Sequence, residues 1–217
     1  MQREWDIQAS GTDNIGRQVC RTVDEQEFTQ LITDIKKKLF ITESYDSILD
    51  VGCGNAAILS YFKNSFKYIY GIDFSSNMIK KAKEIISEGI FSQGEATSLD
   101  YKSRSFDRVL AYSIFHYFPS IDYGLEAIQE MIRVCKKGGI IIIGDVLDKA
   151  FEDEIKGGSD LEYEKIIPLI YRHSQWCFFD LVDIQKHFKA QGYKVEILNQ
   201  PMHFKCAYYR KDIRIWV

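Results

Sequence analysis

Ile140-Ile141-Ile142-Ile143 is the stretch that most narrows the folds open to this chain. Four consecutive β-branched residues leave no polar face, so a strand made from them has to be covered on both sides. Strands of that kind belong to parallel sheets lying between layers of helices, and the surrounding sequence supplies the helices. Its periodicity predicts a helix over 24–40, a strand from Ser47 to Val51, a helix from Asn55 to Lys63 and a strand from Tyr68 to Ile72. A helix from Ser75 to Ser87, strands from Ile90 to Gly94 and Phe106 to Ser113, a helix from Asp122 to Cys135 and the strand Ile140 to Val146 follow. The first helix carries Phe28, Leu31, Ile32, Ile35 and Leu39 on one side and ends in Lys36, Lys37 and Lys38, cations at its negative pole. Alternation of this kind implies an α/β fold with a doubly wound, mostly parallel sheet.

The last third departs from that order. A mixed segment, 147–179, has Gly157-Gly158 as a turn and a helix over Leu161 to Tyr171 that starts or breaks around Pro168. After a helix near Asp180 to Gln191 come two strands, Tyr193 to Leu198 and Lys205 to Val217, with no helix between them. An antiparallel hairpin at one sheet edge is the expected outcome. No repeat, low-complexity stretch or linker divides the 217 residues, which suits a single domain with an elaboration.

A formal charge of −3 without a basic stripe disfavours nucleic acid as partner. The N-terminus, Met1-Gln2-Arg3-Glu4-Trp5-Asp6, lacks the apolar core of a signal peptide, and the apolar runs are too short to cross a bilayer. A cytosolic protein with no membrane partner is expected. Cys20, Cys53, Cys135, Cys177 and Cys206 are odd in number and contain no C-x-x-C pair, which suggests reduced thiols rather than disulfides or a zinc site.

The first strand runs into a glycine pair, ILDVGCGNAA over Ile48 to Ala57. Read as Gly52-x-Gly54-x-x-Ala57, it satisfies the fingerprint of dinucleotide binders. At the tip of the second strand, in Gly71-Ile72-Asp73-Phe74-Ser75, a carboxylate suits a ribose diol, although Asp73 is also open to capping the helix that begins near Ser75. What separates the nucleoside binders is Asp50. Just ahead of Gly52, it would repel a pyrophosphate and suits a ligand carrying an ammonium or sulfonium charge.

Asp50-Val51-Gly52-Cys53-Gly54 resembles the first motif of class I S-adenosylmethionine-dependent methyltransferases, and Gly71 to Ser75 resembles their second. Gln93 to Leu99 is similar to their third segment, Phe106 to Ser113 to their fourth strand, Lys136-Lys137-Gly138-Gly139 to the turn before the fifth, and the terminal hairpin to the sixth and seventh. The resemblance covers about residues 24–217 and implies a Rossmann-like, seven-stranded sheet with S-adenosyl-L-methionine as cofactor and S-adenosyl-L-homocysteine as product. Carried over by position, Asp50, Gly52, Cys53 and Gly54 line the methionine end, Asp73 takes the ribose hydroxyls, Phe74 packs on the base, Glu95 and Ala96 hold the adenine edge, and Ser113 borders the cofactor. Two positions depart from the pattern: Ala56 stands where a third glycine is usual, and Glu95 where Asp is usual.

Methyl transfer needs no metal, and a general base only where the acceptor must lose a proton. His116, just beyond the fourth strand, points toward the expected methyl site and is open to a base role or to simple contact. Asp145, at the end of the fifth strand, and His173, in the insertion, are the alternatives; each also reads as an ordinary polar residue. His187 and His203 are weaker, and no two histidines have metal-ligand spacing.

Residues 1–23 resemble the arm that folds over the cofactor in small-molecule methyltransferases, and 24–217 form the catalytic domain, whose insertion (147–179) contributes to the acceptor pocket. In the arm, Arg17 and Arg21 are open to pairing with an acidic substrate group or to solvent. A similar arm occurs in methyltransferases of surface-sugar biosynthesis, so a sugar or other small metabolite is the implied acceptor. Competing readings are a nicotinamide-dependent oxidoreductase and a non-catalytic cofactor-binding protein. Oligomeric state has no signature in the sequence.

Overall fold

The computed structural model describes residues 1–11, 25–42 and 44–217. Cys20, Arg17, Arg21 and the rest of the arm beyond Gly11 lie outside the described residues. Seven strands form one sheet: β1 Tyr45–Val51, β2 Phe66–Asp73, β3 Ile90–Gln93, β4 Phe106–Tyr112, β5 Cys135–Leu147, β6 Lys194–Asn199 and β7 Arg210–Trp216. Their spatial order is β3-β2-β1-β4-β5-β7-β6. The first five are parallel, whereas β7 runs antiparallel between β5 and β6. The strand order reverses between β1 and β4, and such a switch point opens a crevice at the carboxyl ends of the strands.

Helices cover both faces: α1 Gln2–Ser10, α2 Glu25–Lys38, α3 Ser76–Ile85, α4 Ile121–Val134, α5 Glu152–Gly157, α6 Leu161–Glu164 and α7 Leu181–Ala190. The isoleucine run explains how. Ile140 and Ile142 pack with Leu31 and Ile35 of α2, with Leu39 just beyond it, and with Ile79 and Ala82 of α3. Ile141 and Ile143 turn the other way, onto Ile128, Met131 and Ile132 of α4 and Ile184 and Phe188 of α7. Each fully buried isoleucine removes enough apolar surface to contribute roughly 1.5–3 kcal/mol, so this strand anchors both layers.

Three expectations are corrected. In place of a helix from Asn55 to Lys63 there are turns and one 3-10 turn, Leu59–Phe62. Ala56 adopts a left-handed φ of 63°, and the Asn55 side chain accepts the Ala57 N–H at 3.1 Å, so local bonds displace the α-helical pattern. The helix over Leu161 to Tyr171 shrinks to α6, followed by a 3-10 turn at Leu169–Tyr171, because Pro168 keeps an extended backbone between them. The last strand starts at Arg210 rather than Lys205, since 201–209 is a run of turns. The sequence reading assigned no structure within the arm, yet Gln2–Ser10 is helical.

Candidate active site

The cleft lies at the carboxyl edge of β1, β2 and β4 and encloses about 350 Å³. All nine residues assigned to a cofactor from the sequence line it: Asp50, Gly52, Cys53, Gly54, Asp73, Phe74, Glu95, Ala96 and Ser113. Gly52 and Gly54 have φ of 74° and 52°, and with Ala56 they give the loop three left-handed positions in five residues. The N–H groups of Gly52 and Cys53 both donate to the carbonyl of Ile72, at 2.7 and 3.0 Å, which pins the loop against the end of β2. A Cβ at Gly52 would stand 2.6 Å from Cγ2 of Ile114, so glycine is needed there for space as well as conformation.

Asp50 is 2% exposed, and its Oδ1 has no hydrogen-bond partner among the described residues. Burial, reinforced by the neighbouring carboxylate of Asp73, pushes its carboxyl well above the ordinary range. Asp73 accepts one backbone N–H on each oxygen, from Gly54 to Oδ2 and from Ser75 to Oδ1, both at 2.9 Å. Its pKa still rises to about 6: burial is the main cause, the two N–H bonds oppose it, and Asp6 and Glu95 add repulsion. The helix cap is Ser75, which accepts the Met78 N–H at 3.1 Å. Each Asp73 oxygen thus keeps acceptor capacity beyond its one backbone bond.

Glu95 accepts a hydrogen bond from the hydroxyl of Tyr123, in the first turn of α4, at 2.7 Å. Burial, and then that bond, push the Tyr123 phenol up to about 12. Sequence reasoning missed Tyr123 and the other aromatic members of the wall besides Phe74, namely Trp5, Phe28, Tyr112, Tyr117 and Phe118. Tyr117-Phe118-Pro119, directly after the fourth-strand motif, was the available signal; Trp5 and Phe28 arrive from helices distant in sequence.

Trp5 reaches the cleft because α1 docks beside it. The Asp6 carboxylate receives the Ser75 hydroxyl at 2.5 Å and the Asn77 N–H at 3.3 Å, an anion at the N-terminus of α3. Trp5 meets Tyr117 edge to face at 5.3 Å. On its other flank, Glu4 accepts the Ile170 N–H at 3.1 Å, and Gln8 lies 3.2 Å from the Tyr171 hydroxyl. The described part of the arm therefore joins the cleft to the insertion.

None of the three catalytic candidates lines this cleft. His116 was expected to face it. Instead, the 3-10 turn Phe115–Tyr117 presents Tyr117 to the cleft, while His116, 1% exposed, packs its ring 4.0 Å from that of Tyr117 and 5.1 Å from that of Trp176. His173 is exposed, with its ring 4.1 Å from Trp176, and burial by its neighbours lowers its pKa. Asp145 is buried behind Ser113, bonded to the Ser113 hydroxyl at 2.6 Å and to Arg210 at 2.5 Å. Among the described residues that line the cleft there is no lysine, arginine or histidine side chain.

Residues 49–143 match the family model described as "Methyltransferase domain". The demethylmenaquinone methyltransferase of Desulfitobacterium hafniense is 32% identical over 133 residues, which cover 57% of this chain and 51% of that protein. A tRNA (carboxymethyluridine(34)-5-O)-methyltransferase of Xenopus tropicalis is 30% identical over 96 residues, 44% of this chain and 15% of that one. The chain thus spans about half, or less, of the length of these relatives. Among solved structures, the plantazolicin methyltransferase BpumL in complex with SAH superposes with a TM-score of 0.67 at 14% identity, over 98% of this chain and 96% of that one.

Proposed function

We propose, for a chain that carries a methyltransferase domain of the class I, Rossmann-like fold, that it transfers a methyl group from S-adenosylmethionine to a small-molecule acceptor. The carrying observation is Oδ1 of Asp50, a buried carboxylate oxygen in the wall of the cleft with no hydrogen-bond partner among the described residues. Burial favours its protonated form in the empty cleft, and a cationic ligand would supply the counter-charge that lets it ionise there. The same carboxylate disfavours the pyrophosphate of NAD beside the Gly52–Gly54 loop. The residues present fit the group in a second way: Gly52 and Gly54 hold the left-handed turn at the cleft wall, and the bare backbone of Gly52, which leaves no room for a Cβ beside Ile114, lines the space beside Asp50.

In this reading Asp50 and the Gly52–Gly54 loop hold the amino-acid end, Asp73 accepts the ribose hydroxyls, and Phe74, Ala96 and Glu95, the last oriented by Tyr123, hold the base. The cofactor, when bound, supplies a sulfonium methyl group open to in-line displacement. The chain's own contribution is alignment and exclusion of water by the aromatic wall and by α1. Residues 1–23 act as a lid, and the insertion, which α1 already touches through Ile170 and Tyr171, forms part of the acceptor pocket.

Thermal unfolding of the purified chain with S-adenosylhomocysteine, S-adenosylmethionine and NAD tests the cofactor. A rise with the first two and none with NAD is expected; a larger rise with NAD would reverse the choice. Turnover on nucleotide sugars, small metabolites or tRNA then identifies the acceptor class, and activity confined to tRNA would overturn the small-molecule reading.

A further inference from the structure

Two neighbouring strand ends at the cleft hold non-glycine residues in the left-handed region, Ser113 at φ 63° and Asp145 at φ 64°. Each such residue costs on the order of 1–3 kcal/mol and persists only where its surroundings hold it. Asp145 falls where the pairing of β5 with β7 shifts register, between Ile143 and Val146, and a bulge re-aims a side chain. Its N–H donates to Asp212 at 2.9 Å. Its carboxylate receives the Ser113 hydroxyl and the Arg210 guanidinium on Oδ2 and the Gln200 amide, at 3.3 Å, on Oδ1. Gln200 also reaches Asp212 at 3.1 Å and the Tyr112 hydroxyl at 3.3 Å.

Arg210 extends the chain of contacts outward. Its guanidinium lies 5.2 Å from the centre of the Trp176 ring, which in turn packs on His116 and His173. Trp176 belongs to the insertion and clusters with Leu147, Phe178 and Tyr209. A single carboxylate therefore touches the cleft wall through Ser113 and the insertion through Arg210.

We propose that Asp145 is a positioning residue, which orders Ser113 in the wall of the cleft and Trp176 in the insertion as one unit. The site it orders is the cofactor site of the preceding section, so the proposal rests on that reading for its link to binding, but its structural half does not. Asp145 does not act as a proton acceptor: Arg210, Ser113 and Gln200 already engage its two oxygens, and it does not line the cleft.

Amide hydrogen exchange on the ligand-free chain, with S-adenosylhomocysteine affinity by calorimetry over pH 5–8, tests this on Asp145→Asn, Ser113→Ala, Arg210→Lys and Arg210→Met. Asp145→Asn is expected to speed exchange at both 112–116 and 173–178 and to weaken binding by about tenfold at every pH, as for a misplaced rather than missing contact. Ser113→Ala should loosen only 112–116 and Arg210→Met only 173–178, with Arg210→Lys restoring the latter. Exchange in Asp145→Asn that changes at one segment alone overturns the proposal, as does a changed shape of its pH profile. Should Asp145→Asn fail to fold, the two flanking variants carry the test: identical exchange patterns in Ser113→Ala and Arg210→Met overturn it. Absence of binding by the unaltered chain would defeat the cofactor reading alone, because the exchange pattern is read without ligand.

Discussion

Two pairs of buried aspartates stand at the carboxyl edge of this sheet, and they are bonded in opposite ways. Asp145 and Asp212 have their counter-charges built in: Arg210 meets the first at 2.5 Å, Lys38 meets the second at 2.6 Å, and Gln200 bridges both. Asp50 and Asp73 face a cleft with no described lysine, arginine or histidine and repel each other, and Oδ1 of Asp50 has no partner among the described residues. A carboxylate neutralised by its own chain holds structure together. One left without a counter-charge is poised for a ligand that brings it.

The contrast breaks most visibly at Asp212, which is fully buried. Asp212→Ala removes the acceptor of the Asp145 N–H and one of the partners of Gln200, and leaves Lys38 with Asp34 among the described carboxylates, so a loss of about 3 kcal/mol in urea unfolding is expected. A loss within experimental error would make this pair as dispensable to the fold as the other.

Asp73→Ala frees the Gly54 and Ser75 N–H groups, so a smaller loss of about 1–2 kcal/mol in unfolding is expected, while S-adenosylhomocysteine binding weakens at least about tenfold from the loss of charge-assisted bonds. The sign of its pH dependence follows from its raised pKa. The folded chain holds this proton more tightly than the unfolded chain, so ligand-free stability attributable to Asp73 is present at low pH and is lost as pH rises from about 4 through about 6. Ligand hydroxyls donate to the ionised form, so binding runs the other way and declines as pH falls below about 6. Calorimetry across that range should show the decline in the unaltered chain and a smaller one in Asp73→Ala, where Asp50 still titrates.

Asp50→Asn sharpens the comparison with the smallest expected change in stability. Burial disfavours the charged form of Asp50, so Asp50→Asn, which cannot ionise, should leave the ligand-free chain at least as stable at neutral pH, while binding weakens. A drop in the unfolding temperature would mean that the Asp50 charge is structural after all.

Much of the cleft was legible because it is written in backbone. Gly52 and Gly54 announce left-handed turns, Asp50 and Asp73 stand at strand tips that hydrophobic patterning locates, and Ile140–Ile143 fixes which strand is covered twice. The opposite was true of side chains whose partners lie far along the chain. Whether His116 or Tyr117 faces the cleft depends on one 3-10 turn and on Trp176, sixty residues later. Asp145 reads as a candidate base until Arg210 and Gln200, brought in by the terminal hairpin, engage both its oxygens. Ala56 shows the reverse failure: it fell inside the helix expected from Asn55 to Lys63, and its left-handed backbone belongs to the loop.

The place of β7 between β5 and β6 has a consequence in time. Within the sheet β6 pairs only with β7, and β7 closes the open flank of β5. As the chain emerges in synthesis, β6 is complete before any strand it can join exists, and the isoleucine-rich edge of β5 stays bare until β7 follows. Exposed, unpaired strand edges are where partly made chains associate wrongly. The interval between the appearance of Asn199 and of Trp216 is therefore when this protein is most exposed to misassembly, and the same late strand that ends it delivers Arg210 to Asp145.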